Sequence, residues 1–262
     1  MSNEYWAERT AKAQSKLTNK SIRQTEAQLK KYYANAMKKT LDNFEKTYNK
    51  VLSSIDEGRE PTPADLYKLD TYWQLQAQLR AELQKLGDRQ IVLLSKNFEL
   101  HFFEIYYSFG IPGERAFSTI DKAGATQLIN QIWCADGKSW SQRIWNNTER
   151  LLETLNEGLV ECVVTGKKVS EMKNILQERF GVSYGRADAL VRTEMAHIQT
   201  QAATQRYKDY GLQEVEIWAD EDERRCEICG DLHEKRYPIG AQVPIPAHPR
   251  CRCCVIPVVE ID

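Results

Sequence analysis

Apolar residues recur along most of this chain at three- and four-residue steps, the period of an α-helix. Residues 1 to about 57 are rich in Lys, Gln, Ala and Leu and hold neither Gly nor Pro before Gly58, which predicts one long helix or a helical hairpin. Gly58, Pro61 and Pro63 interrupt the pattern. It resumes through Leu66, Leu69, Trp73, Leu75, Leu79 and Leu83 and is expected to stop near Gly87. Arg89 to Phe109 is the most apolar helix, closed by Gly110 and Pro112, and reads as the core helix of the first half. A further helix from about Lys122 to Cys134 precedes the turn at residues 135–138, after which Ser139 or Ser141 can cap the next. In that next helix Ile144, Leu151, Leu155, Leu159 and Cys162 share one stripe, which makes Cys162 a packed thiol. Gly166 is expected to end it. A short helix from Ser170 to Phe180, stopped by Gly181, and a long one from about Tyr184 to Tyr210, stopped by Gly211, complete the helical part.

After Gly211 the period changes to two. Val215 and Ile217 alternate with acidic neighbours over Glu214 to Ala219, and Cys254 to Ile261 is β-branched, so two strands frame a cysteine-rich loop. The fold class expected is mainly α, a long helical body followed by a small C-terminal α+β module. The expected domains are a helical N-terminal body over 1–138 and a C-terminal domain over 139–262, with the module at about 212–262.

The chain has 262 residues, near one large or two small domains, and its net charge of −1 argues against polyanion binding by the whole surface. Any such contact is local. Residues 1 to 50 hold 11 basic side chains (nine Lys, two Arg) against five acidic ones, which suits a grip on DNA or on an acidic partner, or a solvated helix face. No stretch approaches the roughly 18 apolar residues of a membrane span, and the opening residues Glu4, Glu8, Arg9 and Lys12 lack a secretory core. A reducing compartment is therefore expected. There, Cys226, Cys229, Cys251, Cys253 and Cys254, crowded near the end, read as metal ligands before disulfides.

Cys226-x-x-Cys229 places two thiolates on one side of a knuckle, and His248-Pro-Arg-Cys251-Arg-Cys253 follows after 18 residues, 230–247. Five candidates, Cys226, Cys229, His248, Cys251 and Cys253, compete for four tetrahedral positions. Residues two apart share a strand face, so Cys251 and Cys253 are both eligible and Cys254 points away. Such a thiolate-rich set selects zinc, and four protein ligands make the site structural. A module this small cannot offset chain entropy of about 1 to 2 kcal/mol per residue. Structural zinc contributes roughly 10 kcal/mol or more.

Other chemistries are weaker. A thioredoxin-like motif needs a βαβ setting and a helix at the first Cys, whereas Arg224-Arg225 and Gly230-Asp231 read as loop. A metal-dependent nuclease or toxin has only Asp231, His233 and Glu194 to work with. Glu194 shares a stripe with Ala187, Val191, Ile198 and Ala202, so its carboxylate needs a partner. Arg186, Arg192, Arg250 or Arg252 can supply a structural latch. His197 lies three residues beyond Glu194, without the second His of a zincin helix, and is read as non-catalytic.

Arg186-Ala187 through Arg192-Thr193-Glu194, then Trp218, Asp220, Cys226-x-x-Cys229, a Tyr237 strand and Pro246-x-His248-Pro249-x-Cys251-Arg252-Cys253 resemble the C-terminal domain of the phage head-morphogenesis or minor head protein family, across about residues 140–260. Tyr5-Trp6 with Arg9, and the segment from Trp140 to Trp145, are similar to its siphophage members. Cys254 departs from the usual single Cys-Arg-Cys ending. The resemblance implies a non-enzymatic minor capsid component of a tailed phage or prophage. It would sit at the portal vertex, with portal and capsid proteins as partners, and serve head assembly, DNA packaging or ejection. Packaged DNA is a further possible partner, through the basic N-terminal helix. The implied location is the virion, after the host cytoplasm. Some members carry a fused enzyme or toxin domain, for which the residues up to Asp262 leave no room.

Overall fold

The computed structural model describes residues 3–54, 59, 62, 64–65, 70–109, 118–164, 169–219, 222–223 and 225–259. Five helices come first: α1 (Asn3–Leu52), α2 (Thr71–Ser108), α3 (Lys122–Ile129), α4 (Trp140–Val164) and α5 (Val169–Asp209). Strand β1 (Glu214–Trp218), a short helix α6 (Glu227–Leu232), and strands β2 (Arg236–Pro238) and β3 (Cys254–Pro257) follow. The mainly helical class with a small C-terminal β module is what the patterning predicts, with a third strand added. Several expected features lie outside the described residues: Gly58, Pro61, Pro63, Leu66, Leu69, Gly110, Pro112, Gly166 and Asp220, and the side chains of Tyr5, Trp6, Leu159 and Cys162.

Of the two arrangements expected at the start, residues 3–52 form the single long helix. Helix boundaries further along differ from expectation. Gly87 does not stop a helix, because α2 runs through it; a Cβ there would lie 2.3 Å from Cζ3 of Trp145, so the glycine admits an indole against the backbone. Gly181 likewise lies inside α5, and Ser170 lies within its first turn rather than capping it. Helix α3 ends at Ile129 instead of Cys134: the backbone N–H and the side-chain amide of Asn130 both donate to Thr126 O, at 3.1 and 2.9 Å. Gly211 does end α5, at φ 78°, with Leu212 N donating to Tyr207 O and Gly211 N to Lys208 O, a Schellman closure.

The chain divides into two compact units, one made of Met1–Glu26, Leu93–Trp140 and Ala189–Asp262, the other of Ala27–Val92 and Ser141–Asp188. In the second, Tyr33 and Phe44 of α1, Leu79 and Leu83 of α2, Leu151 and Leu155 of α4, and Met172 and Phe180 of α5 close one apolar core.

The first unit holds the β module. Phe98, Phe102 and Tyr106 of α2 and Val191, Met195 and Tyr207 of α5 are fully buried in it. The inward face of α1 in this unit is polar, with Gln14, Thr18, Ser21 and Thr25 all buried. Gln14 Nε2 donates to Tyr207 OH at 2.9 Å and to Val255 O at 3.0 Å, and Gln199 Nε2 donates to Gln14 Oε1 at 3.1 Å. Thr18 Oγ1 donates to Gln199 Oε1 at 2.5 Å.

The sheet is antiparallel in the order β2-β1-β3, with Val215 opposite Tyr237 on one side and Glu216 opposite Ile256 on the other. Strand β3 stops at Pro257, short of the expected Ile261. Each edge is partly blocked: Val255 O on β3 is occupied by Gln14 and Tyr207, and Pro238 on β2 has no N–H to offer.

Candidate metal centre

Between β1 and β3 the chain makes a tight knuckle. Cys226 caps α6, its Sγ accepting from Cys229 N at 3.4 Å, so the Cys-x-x-Cys spacing puts both sulfurs at one helix N-terminus. This corrects the expected loop: a helix does begin after the first Cys. The thioredoxin-like reading still fails, because the flanking strands are antiparallel and form no βαβ unit.

The second half-site folds back onto the first. His248 Nε2 lies 3.3 Å from Cys226 Sγ and 3.2 Å from Cys229 Sγ, and Cys229 Sγ lies 3.7 Å from Cys251 Sγ. Two groups have all ligand atoms within 4.8 Å of one another, Cys226 with Cys229 and His248, and Cys229 with Cys251 and Cys253. Cys229 belongs to both. These cysteines are free thiols.

The donor set fits a metal ion on two grounds. His248 Nδ1 donates to Pro249 O at 2.9 Å, which fixes the tautomer and leaves Nε2 as the bare nitrogen facing the sulfurs. The same carbonyl pulls the His248 pKa up. The thiols also conflict with one another without a cation. Burial pushes Cys229 up to about 12, while the hydrogen bond from Cys253 pulls Cys251 down to about 5 and, reciprocally, drives Cys253 upward. Cys226, exposed at the helix N-terminus, is lowered by the Cys229 backbone N–H. Several thiolates cannot coexist this close without a positive charge among them, and a bound cation supplies it. The Cys/His cluster can therefore hold a metal ion.

The surroundings anchor this loop. Arg250 N donates to Thr193 Oγ1 on α5 at 3.1 Å, and Arg252 grips Asp222 through both guanidinium nitrogens at 2.6 Å. Cys254 lies in neither ligand group and packs with Ala7, Ala11 and Ile256.

The remaining candidate residues are placed elsewhere. Glu194 is 1 % exposed, and its Oε2 accepts from the indole Nε1 of Trp133 at 3.0 Å. Arg192 pairs with Glu26. Trp133 is 61 positions away from Glu194, and nothing in the residue pattern announces it. Asp231 is exposed on α6. His233 accepts from Ala219 N at 3.3 Å through Nδ1 and packs edge-on against Trp218. Neither Asp231 nor His233 belongs to a ligand group among the described residues. Among those residues, no helix is long and apolar enough to cross a membrane.

Residues 153–256 match the family model described as Phage Mu protein F like protein. Neither a curated protein nor a solved structure matches the chain. The matched stretch contains α5 from Val169 onward, the sheet down to Ile256 and every candidate ligand. Residues 153–256 are thus similar to the Phage Mu protein F-like family, a family of phage head-morphogenesis and minor head proteins.

Proposed function

We propose that this protein is a structural minor head protein of a tailed phage or prophage, acting at the portal vertex in head morphogenesis, DNA packaging or ejection. Residues 139–262 would be its minor-head domain, and portal and capsid proteins its partners. The observation that carries the reading is the Cys/His cluster inside the family-matched stretch, tied to α5 through Arg250 and Thr193.

The ion is zinc, held by four of Cys226, Cys229, His248, Cys251 and Cys253 and structural in role. Soft thiolates with one imidazole favour it over harder cations. In the same reading Glu194, Arg186 and Arg192 latch α5 rather than act on a substrate. The burial of Glu194 and its bond from Trp133 support this. The chain moves from the host cytoplasm into the virion.

Helix α1 supplies the contact with packaged DNA or the portal. All eleven basic side chains between Arg9 and Lys50 are exposed, and Arg9, Lys12, Lys16, Lys20 and Arg23 fall on one stripe at three- and four-residue steps. DNA affinity should fall as salt rises, with a logarithmic slope of about −0.9 per phosphate contacted. Reversing Lys16 and Arg23 should flatten that slope, and salt-insensitive or absent binding removes DNA from the partners.

Mass spectrometry of purified virions, with zinc analysis of the isolated chain, tests the main proposal: the protein should appear in particles at low copy and carry one zinc. Absence from particles overturns it. The preparation should leave DNA and RNA intact with added divalent metals. Cleavage abolished by Asp231→Asn, His233→Ala or Glu194→Gln at unchanged zinc content would replace the structural role with a nuclease.

A further inference from the structure

A second candidate site lies in the first unit and contains none of the Cys/His cluster residues. A cleft of about 510 Å³ runs between one face of α5 and the segment 239–245 that follows β2, with Trp133 and His197 in its lining. Those two rings stack at 4.4 Å and 11°. The α5 wall presents Thr200, Gln201, Thr204, Gln205 and Lys208, and Gln242 faces it from the opposite wall.

Two buried polar atoms of the lining residues have no partner within the protein. His197 is 97 % buried, yet its Nε2 has no hydrogen-bond partner, and Thr204 Oγ1 is a second buried orphan in the same lining. An unpaired buried polar atom costs about 1 to 3 kcal/mol, and native structures rarely leave one without a partner. Both orphans lie on α5, seven residues apart, hence near the same face of the helix.

The lining chemistry selects the partner. It holds four glutamines, two threonines and a single lysine, with no carboxylate. A carboxamide offers one acceptor oxygen and an N–H donor side by side, the same pair that a peptide group offers, so glutamines spaced along a helix match an extended main chain. One ammonium group is too little for a polyphosphate or a nucleic-acid backbone, and the absence of carboxylates disfavours cations. One face of the Trp133 indole is already taken by His197, which weakens the stacking expected of a sugar site. The volume is that of a few residues of extended chain.

We infer that this cleft binds an extended peptide segment of a protein partner, with the glutamines pairing to its main chain and Lys208 to an acidic side chain. This goes beyond the head-protein reading; because the 239–245 wall belongs to the module that the metal holds folded, the test keeps the metal in place.

The probe is the capped pentapeptide Ac-Ala-Ala-Glu-Ala-Ala-NH2, titrated into the full-length, metal-loaded chain while backbone amide shifts are followed. Shifts confined to residues 131–133, 197–208 and 239–245, with a dissociation constant on the order of 1 mM or tighter, are expected. The backbone N-methylated pentapeptide, whose five residue amides cannot donate, should bind at least about tenfold more weakly, as should the unmethylated peptide to the Gln201→Ala/Gln242→Ala variant. Lys208→Glu should weaken the Glu peptide but not its Gln counterpart. Retained metal content and helical signal check that the variants fold. No cleft shift, shifts spread elsewhere, indifference to N-methylation, or preferential binding of an oligosaccharide or dinucleotide in the same titration would each overturn the inference.

Discussion

The Glu194 carboxylate and the Trp133 indole meet through a 3.0 Å hydrogen bond in which the indole N–H donates to a side chain almost without solvent contact. The same indole stacks on His197, one turn further along α5, so a single side chain from the segment after α3 secures two buried polar residues. Replacing Trp133 with Phe keeps the ring and removes the donor. Unfolding free energy in urea should fall by about 1 to 3 kcal/mol, the cost of depriving a buried acceptor of a partner. A loss below about 0.5 kcal/mol would show that this bond carries little of the latch.

Cys229 is the sulfur common to both ligand groups, whereas Cys254 belongs to neither. Cys229→Ser should abolish metal binding and unfold the module locally. Amide exchange at 214–218, 236–238 and 254–257 should accelerate while α2 stays protected, and chelation should reproduce the pattern. Cys254→Ser should retain the metal and cost only about 1 kcal/mol, from a polar atom among Ala7, Ala11 and Ile256. Loss of metal in Cys254→Ser, or its full retention in Cys229→Ser, would contradict this arrangement.

Glycines inside helices should respond in opposite directions. Gly87→Ala gains up to about 1 kcal/mol of helix propensity but drives a Cβ into Trp145, and overpacking of this kind costs about 1 to 3 kcal/mol. The net effect expected is destabilisation, relieved when Trp145 is shortened to Leu in the same chain. At Gly181 and Gly185 a Cβ meets open space, so alanine should stabilise by roughly 0.5 to 1 kcal/mol. Thermal midpoints of the single and double variants decide the matter.

Burial holds His101 and His197 at about 4. An unfolded imidazole titrates near 6.5, so between roughly pH 6.5 and 4 the unfolded chain binds the extra protons and stability falls as pH falls. Above that window both states are neutral and these residues add no pH dependence. By the 1.36 kcal/mol per unit relation, each contributes a loss on the order of 2 to 3 kcal/mol by pH 4. Urea midpoints followed by helical signal should decline through the window. The slope should be shallower in His197→Phe, which preserves the stack on Trp133, and in His101→Gln. An unchanged slope in both variants would assign the acid sensitivity to other groups.

Much of this architecture could be read from residue order. The missing Gly and Pro before Gly58 yield α1, and Gly211 ends α5 because only a residue at ease with positive φ closes a helix that way. The Cys-x-x-Cys and His-x-x-Cys-x-Cys spacings located the Cys/His cluster, because a short-range turn fixes which sulfurs can converge. Helix breaks at Gly87 and Gly181 were misread, because a lone glycine costs a helix only about 1 kcal/mol and packing decides whether it is tolerated. The buried face of α1 was hidden for a related reason: Gln14 and Thr18 look like surface residues until Tyr207, Val255 and Gln199 arrive to satisfy them.

Local order therefore determined which segments are helical, where the Cys/His cluster lies and which family its stretch resembles, since each depends on backbone propensity or on side chains a few residues apart. Tertiary structure alone decided that Glu194 answers to Trp133, that Gly87 receives an indole, that Pro249 orients His248 toward the sulfurs, and that His197 borders a polar cleft. Apart from the neighbouring Pro249, these partners lie dozens of residues apart in the chain, and only the folded backbone brings them within reach.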